Sequence, residues 1–148
     1  MLSLDKVVFP PALALLCGVG ISLLPRVDTL PFRPYITGLL AATAAYLHID
    51  ALLCLRRHKT EVSPFTPDRT STIVREGVYG LSRNPMYLSL CVYLLAWSAW
   101  RQAPLGVLVA AAFVAYTTRF QVVPEERALG EKFGDEFEGY CKEVRRWI

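Results

Sequence analysis

The sequence predicts an all-α integral membrane helical bundle with about four transmembrane helices, the last two a helical hairpin, followed by a C-terminal amphipathic helix. Three observations lead there. Hydrophobic residues make up 53% of the 148 positions, a high share for a soluble domain of this size. Charge is segregated: from Pro10 to Arg56 the charged positions inside the stretch are Arg26, Asp28, Arg33 and Asp50, and from Met86 to Thr118 only Arg101 is charged. Finally, four spans sort the basic residues by side. Lys6, Arg56, Arg57, Lys59, Arg69, Arg75, Arg83, Arg119, Arg127, Lys132, Lys142, Arg145 and Arg146 fall on one side, with Arg26, Arg33 and Arg101 opposite. The positive-inside rule then puts both termini, the central loop and the tail in the cytoplasm.

Each element has its own justification. The chain reads as one membrane domain over 1–148, and residues 9–55 supply two N-terminal spans. The first runs from Phe9 to Leu24, entered through Pro10-Pro11 and closed by Pro25-Arg26. Lys6 ahead of it gives it the look of a signal peptide, but no small-residue cleavage site follows, so a retained helix is expected. The second, Tyr35 to Leu55, is long enough for about 30 Å of hydrocarbon and carries His48 and Asp50 near its far end. Asp50 is placed to approach Cys54 one turn on or, less directly, Arg57. A polar connection from Arg56 to Arg83, with Pro64, Pro67, Gly77 and Gly80, is long for so small a protein.

The third span, Met86 to Trp100, reaches only about 22 Å, so its start is expected below the headgroups in a protein-lined cavity. Arg101-Gln102-Ala103-Pro104 turns the chain into a fourth span from Leu105, which is expected to run past Arg119 into Pro124-Glu125-Glu126-Arg127. In the tail Leu129, Phe133, Phe137, Tyr140, Val144 and Trp147 or Ile148 recur at helical spacing, one apolar stripe weakened by Gly130, Gly134 and Gly139. Such a stripe is expected to rest on the membrane surface or on the domain.

Cys17, Cys54, Cys91 and Cys141 lie far apart, a spacing that suggests neither zinc ligands nor a disulfide framework. The net charge of +3 is not arranged as a basic stripe with exposed aromatics, so nucleic acid is not an expected partner. The bilayer is.

The stretch Gly77 to Tyr87 draws the chemistry together. Asn84 suits an N-cap and Pro85 the first helical position, where a missing N–H costs nothing. The positive helix end beside Arg83, with Tyr79 and Tyr87 near in sequence, favours an anionic group. Glu125 and Glu126, on the same side of the membrane, would accept hydrogen bonds from hydroxyls or an amine, and the two sites together suit a zwitterionic ligand. Arg119 reads either as a snorkelling interface residue or as a holder of substrate carboxylate, and Trp97 is a candidate for contacting substrate.

These residues also carry a family likeness. Thr60-Glu61-Val62-Ser63-Pro64, Gly77-Val78-Tyr79, Ser82-Arg83-Asn84-Pro85-Met86-Tyr87, Glu125-Glu126-Arg127-Ala128-Leu129, Phe133-Gly134 and Val144-Arg145-Arg146-Trp147 stand in one order. That order resembles the isoprenylcysteine carboxyl methyltransferase-like and phospholipid methyltransferase superfamily of integral membrane enzymes, over roughly residues 56 to 148. The resemblance implies S-adenosylmethionine as cofactor, bound by the loop, hairpin and tail of residues 56–148. It assigns Arg83, Asn84, Pro85, Met86 and Tyr87 to the cofactor turn, with Tyr79 beside it. Glu125 and Glu126 form the acidic cofactor motif, and Arg119 with Glu126 take catalytic positions. Asn84 stands where eukaryotic carboxyl methyltransferases have histidine, so no imidazole role transfers. The methyl acceptor is expected to be a lipophilic or small thiol, carboxylate or amine. Two other readings stay open on the sequence: a membrane reductase of related architecture using a nicotinamide cofactor, and a non-catalytic membrane scaffold.

Overall fold

The computed structural model describes residues 9–28, 31–60 and 71–148, and every regular element among them is helical. Helix α1 spans Pro10–Leu23 and α2 Arg33–Arg57. A 3₁₀ turn at Gly77–Gly80 precedes α3, Pro85–Arg101. Helix α4, Gly106–Thr117, runs through a π-helical turn at Thr118–Val122 into α5, Val123–Phe133, and α6 is Asp135–Glu143. Prolines sit in the first turns of α1, α2 and α3, where the missing N–H is harmless. Lys6, Arg69 and the Glu61–Pro64 part of the sequence pattern lie outside the described residues.

Among the described residues two helices are long and apolar enough to cross a membrane, the 25-residue α2 and the 28-residue rod Gly106–Phe133. They measure about 38 Å and 42 Å at 1.5 Å per residue. Helix α1, with 14 residues, and α3, with 17, are shorter than the roughly 20 residues a perpendicular crossing needs. The rod runs past Arg119, as its apolar sequence suggests. Its widened turn falls just before Pro124, which withdraws an amide from Phe120 and whose ring would press on that carbonyl in a regular α-helix.

Helix α3 is the centre of the bundle. On one side it packs α2 and the 3₁₀ turn, enclosing Leu47, Ala51, Cys54, Leu55, Val74, Val78 and Tyr79 with Met86, Leu88 and Val92 at the margin. On the other, Ile21 of α1, Leu94 of α3, and Ala110 and Phe113 of α4 close a second apolar cluster. Small residues make the close approaches possible, among them Ala44 and Ala51, both fully buried. Gly106 is required where α4 starts against α3, because a Cβ there would collide with the Ser98 hydroxyl. The connection is a tight one: Gln102 adopts the left-handed conformation (φ 54°) and its amide bonds back to Ser98 and Ala99, turning α4 onto α3 as a hairpin. Away from these contacts the faces are apolar and exposed, including Leu15, Val19 and Leu23 on α1, Leu39 on α2 and Leu108 on α4.

The tail departs from its expected single helix. Gly134, at φ 52°, ends α5 and α6 starts at the next residue. A left-handed backbone position is open to glycine at little cost and breaks any helix that contains it. The apolar stripe is therefore folded on itself. Phe137, Tyr140 and Val144 form a third cluster against Leu129 and Phe133 of α5 and Ile73 of the central connection.

Candidate active site

The site lies where the start of α3, the start of α5 and the C-terminal segment 144–148 meet. Its centre is the carboxylate of Glu126. Arg83 reaches Glu126 Oε1 with Nη2 at 2.7 Å and Nε at 3.3 Å. Arg146 approaches from the tail, Nη2 to Oε2 at 2.6 Å and Nε to both oxygens at 3.1 Å. The Glu126 and Arg83 side chains are 16% and 11% exposed, so the pairing is largely shielded, while Arg146 at 40% opens to solvent. Burial alone would raise the Glu126 pKa, but hydrogen bonds and charge from Arg146 and Arg83 outweigh it and hold the carboxyl below its ordinary value.

Glu125, one residue earlier, has a different setting. It lies beyond Val122, where the apolar stretch of the rod gives way to charge, and it accepts the Tyr87 hydroxyl on Oε1 at 2.6 Å. Burial pushes its pKa up to about 7, the Tyr87 hydrogen bond working against that rise and the Glu126 charge adding to it. Two adjacent carboxyls are thus shifted in opposite directions by their surroundings, a separation typical of functional sites.

The tail is tied down by its backbone. The Arg83 amide bonds to Arg145 O at 3.1 Å, and Arg83 Nη1 bonds to Val144 O at 2.7 Å and Cys141 O at 3.2 Å. The Asn84 side-chain amide donates to Arg146 O at 3.0 Å and the Ser82 hydroxyl to the same oxygen at 3.3 Å. Trp147 Nε1 reaches Thr118 Oγ1 on the rod at 3.2 Å. Tyr140 of α6 donates to Tyr79 O at 2.7 Å, and burial, ahead of opposing charge from Arg83, raises its pKa.

Of the residues the sequence singles out, Arg83, Asn84, Tyr87, Glu125 and Glu126 converge. Pro85 and Met86 start α3 beside them, Met86 packing on the α2 cluster, and Tyr79 is buried in the 3₁₀ turn. Asn84 does occupy the N-cap position, but its side chain makes no cap bond; Ser82 Oγ accepts the Asn84 amide at 3.1 Å instead, leaving the Asn84 amide group for the tail. That corrects the capping role read from the sequence. Arg119 is exposed on the π-helical turn, its guanidinium 5.9 Å from the Phe120 ring centroid. Trp97 lies ten residues along α3 from Tyr87 and donates to Ser22 of α1 at 2.9 Å. Neither is joined to the Glu125–Glu126 constellation by a hydrogen bond or ion pair among the described residues.

Arg146 is the site residue the sequence reading passed over. Its signal was the basic-aromatic end Arg145-Arg146-Trp147, recognised as part of a pattern and as positive charge rather than as a partner for Glu126.

The donor set is suited to a zwitterion with hydroxyls. Arg83 has committed four of its five N–H groups, counting Nη1 twice, whereas Arg146 pairs with Glu126 through Nε and Nη2 on a side chain that is more exposed. Cationic and anionic groups, a phenol and a carboxyl of near-neutral pKa share one region at the start of a helix.

A family model described as phospholipid methyltransferase matches residues 32–136, which include Arg83, Tyr87, Glu125 and Glu126. An uncharacterized protein of Haemophilus influenzae is 44% identical over 63 residues, 43% of this chain and all of that protein. No solved structure matches.

Proposed function

The chain belongs to the phospholipid methyltransferase family, and from that premise we propose that it is an integral membrane methyltransferase using S-adenosylmethionine, acting at the membrane boundary on a lipophilic or small thiol, carboxylate or amine. The single observation that carries this reading is the pairing of Tyr87 with Glu125 beside that of Arg83 with Glu126, all inside the matched region, with Arg146 of the tail joining Glu126 from outside it.

In this reading α1 to α4 cross the bilayer, with the site and the tail facing the cytoplasm. The positive-inside distribution supports that sidedness. The outward apolar faces of α1, α2 and α4 suit hydrocarbon. Because α3 is only about 26 Å long, the site at its start sits within the membrane boundary rather than above it.

Bound S-adenosylmethionine supplies an electrophilic methyl group on a positively charged sulfur. The residues here do the rest. Arg146 and the last uncommitted N–H of Arg83 hold a carboxylate; Glu125 and Tyr87 take up hydroxyl or amine hydrogen bonds. Glu126 fixes both arginines, so it acts on the ligand through them. The tail, fastened at Arg145, Arg146 and Trp147, excludes water from that region. Catalysis then comes chiefly from alignment of acceptor and methyl group in a shielded site. Glu125, whose carboxyl titrates near neutrality, is available to take a proton from an acceptor that must lose one.

The test is direct. Protein purified in detergent is expected to bind S-adenosylhomocysteine by calorimetry and to transfer labelled methyl groups to a component of a panel of thiols, fatty acids and amine lipids. Glu125→Ala and Arg146→Ala are expected to weaken binding. Absence of binding at millimolar ligand overturns the reading.

A further inference from the structure

We propose that Asp50 of α2 is a positioning residue for the candidate active site, fixing the Gly77–Gly80 turn and, through it, the Ser82–Tyr87 segment in binding geometry. Membrane helices rarely retain a carboxylate without a use for it, because its desolvation is costly. Here the use is visible. Asp50 Oδ2 accepts the Val78 amide at 2.9 Å. Gly77, at φ 56°, lies directly on the same carboxyl group; a Cβ there would collide with Asp50 Oδ2 and come within 2.9 Å of Cys54 Sγ. One turn further along α2, Cys54 Sγ reaches Glu76 O at 3.7 Å. Another turn on, His58 Nε2 lies 4.0 Å from the Glu76 carboxylate. Asp50 and Cys54, one turn apart on one face of α2, thus hold residues 76–78, with His58 at the helix C-cap beside them.

From there an unbroken run of hydrogen bonds leads to the site. The Val78 carbonyl that follows the anchored amide accepts the Ser82 amide at 3.1 Å. Ser82 Oγ accepts the Asn84 amide at 3.1 Å and donates to Arg146 O. Asn84 O accepts the Leu88 amide at 2.9 Å in the first turn of α3, which carries Tyr87. Asp50 touches none of the proposed ligand-holding side chains and acts only by placing this backbone.

The inference rests on the methyltransferase reading for its binding readout, and the experiment separates the two. Full-length Asp50→Ala, Asp50→Asn and Gly77→Ala proteins in detergent are compared by amide hydrogen exchange over residues 76–84, by S-adenosylhomocysteine affinity, by KM and kcat, and by thermal midpoint. Asp50→Ala is expected to speed exchange over 76–84 and to weaken affinity about tenfold, as loss of a charge-assisted hydrogen bond would. KM for S-adenosylmethionine should rise with kcat less affected. Asp50→Asn, whose amide oxygen accepts the same N–H, should recover most of the affinity, and Gly77→Ala should resemble Asp50→Ala. Wild-type affinity in a folded Asp50→Ala, even with a lower thermal midpoint, overturns the proposal, as does unchanged exchange over 76–84. If wild-type protein binds no S-adenosylhomocysteine, the methyltransferase reading fails, and the exchange data alone still decide whether Asp50 holds the segment.

Discussion

The two ends of α3 use polar side chains in opposite ways. At its far end Trp97 donates to Ser22 Oγ, Arg101 Nη2 to Ser22 O at 2.6 Å, and Ser98 Oγ to Ala103 O at 2.6 Å. Each of these bonds joins one helix or connection to the next, and their acceptors are neutral oxygens. At its start the same helix meets two arginines bonded to one glutamate, Glu126, and a tyrosine bonded to the adjacent glutamate, Glu125. Neutral pairing there would have served to hold the bundle. Concentrated opposite charge at partial burial is costly to assemble and is better explained by a charged ligand than by packing.

The sharpest way to break that contrast is Glu126→Ala. With the carboxylate gone, Arg83 and Arg146 face each other with no counter-charge between them. The expected loss is about 2–3 kcal/mol, below that for a fully buried pair because Arg146 is partly solvated. Chemical denaturation should register it, and protease should cut the tail after α6 more readily. If the stability and the proteolysis pattern match wild type, the Glu126 clamp is not what fastens the tail.

At the opposite end, Arg101→Met should cost less, about 1–2 kcal/mol, since it removes a charged donor from a neutral carbonyl and leaves the α1–α3 apolar contact in place. The same denaturation series measures it. S-adenosylhomocysteine affinity should not change, and a loss there would mean that the two ends are coupled.

The two glutamates predict opposite pH responses. Glu125 has a raised pKa, so the folded protein keeps a proton that the unfolded chain gives up. Stability on its account is fully present below about 4.5, declines as pH rises to about 7, and is level above that. Glu125→Gln should abolish this decline. Glu126 has a lowered pKa, so its stabilisation is present above the ordinary carboxylate range and is lost as pH falls through the depressed value. Denaturation midpoints of wild type and Glu125→Gln between pH 4.5 and 8 should therefore diverge with rising pH, and parallel curves would refute the assigned ionisation.

The smallest effect is expected from Trp97→Phe. It keeps most of the ring and removes one neutral hydrogen bond, about 1 kcal/mol or less. Methyl transfer to a long-chain acceptor offers the finer measurement. An unchanged KM would remove Trp97 from substrate contact, and a raised one would keep it there.

Much of this protein is determined locally and could be read from the chain. Apolar runs bounded by proline and charge specify α1 to α4, because a helix satisfies its own backbone and needs no distant partner to do so. Pro85 marks the start of α3, and the uninterrupted apolar run through Thr118 foretells a rod that continues to Glu125 and Glu126. The gathering of Arg83, Tyr87 and the glutamates was foreshadowed by the sequence reading, which expected them on one side of the membrane. What the tertiary structure alone decided are the pairings. Glu125 and Glu126 are adjacent and chemically alike in sequence, yet one faces a phenol and the other two guanidiniums. The amide of Asn84, suited to a cap, is drawn to a carbonyl 62 positions away. Gly134 divides the tail because folding it back buries Phe137 and Tyr140 against Leu129 and Phe133, a gain that no local propensity records. Asp50 looked like a neighbour for Cys54 and also holds the Val78 amide across 28 positions. Local rules fix where helices begin and end; which charge a side chain carries, and what it holds, depends on partners that only the folded chain brings within reach.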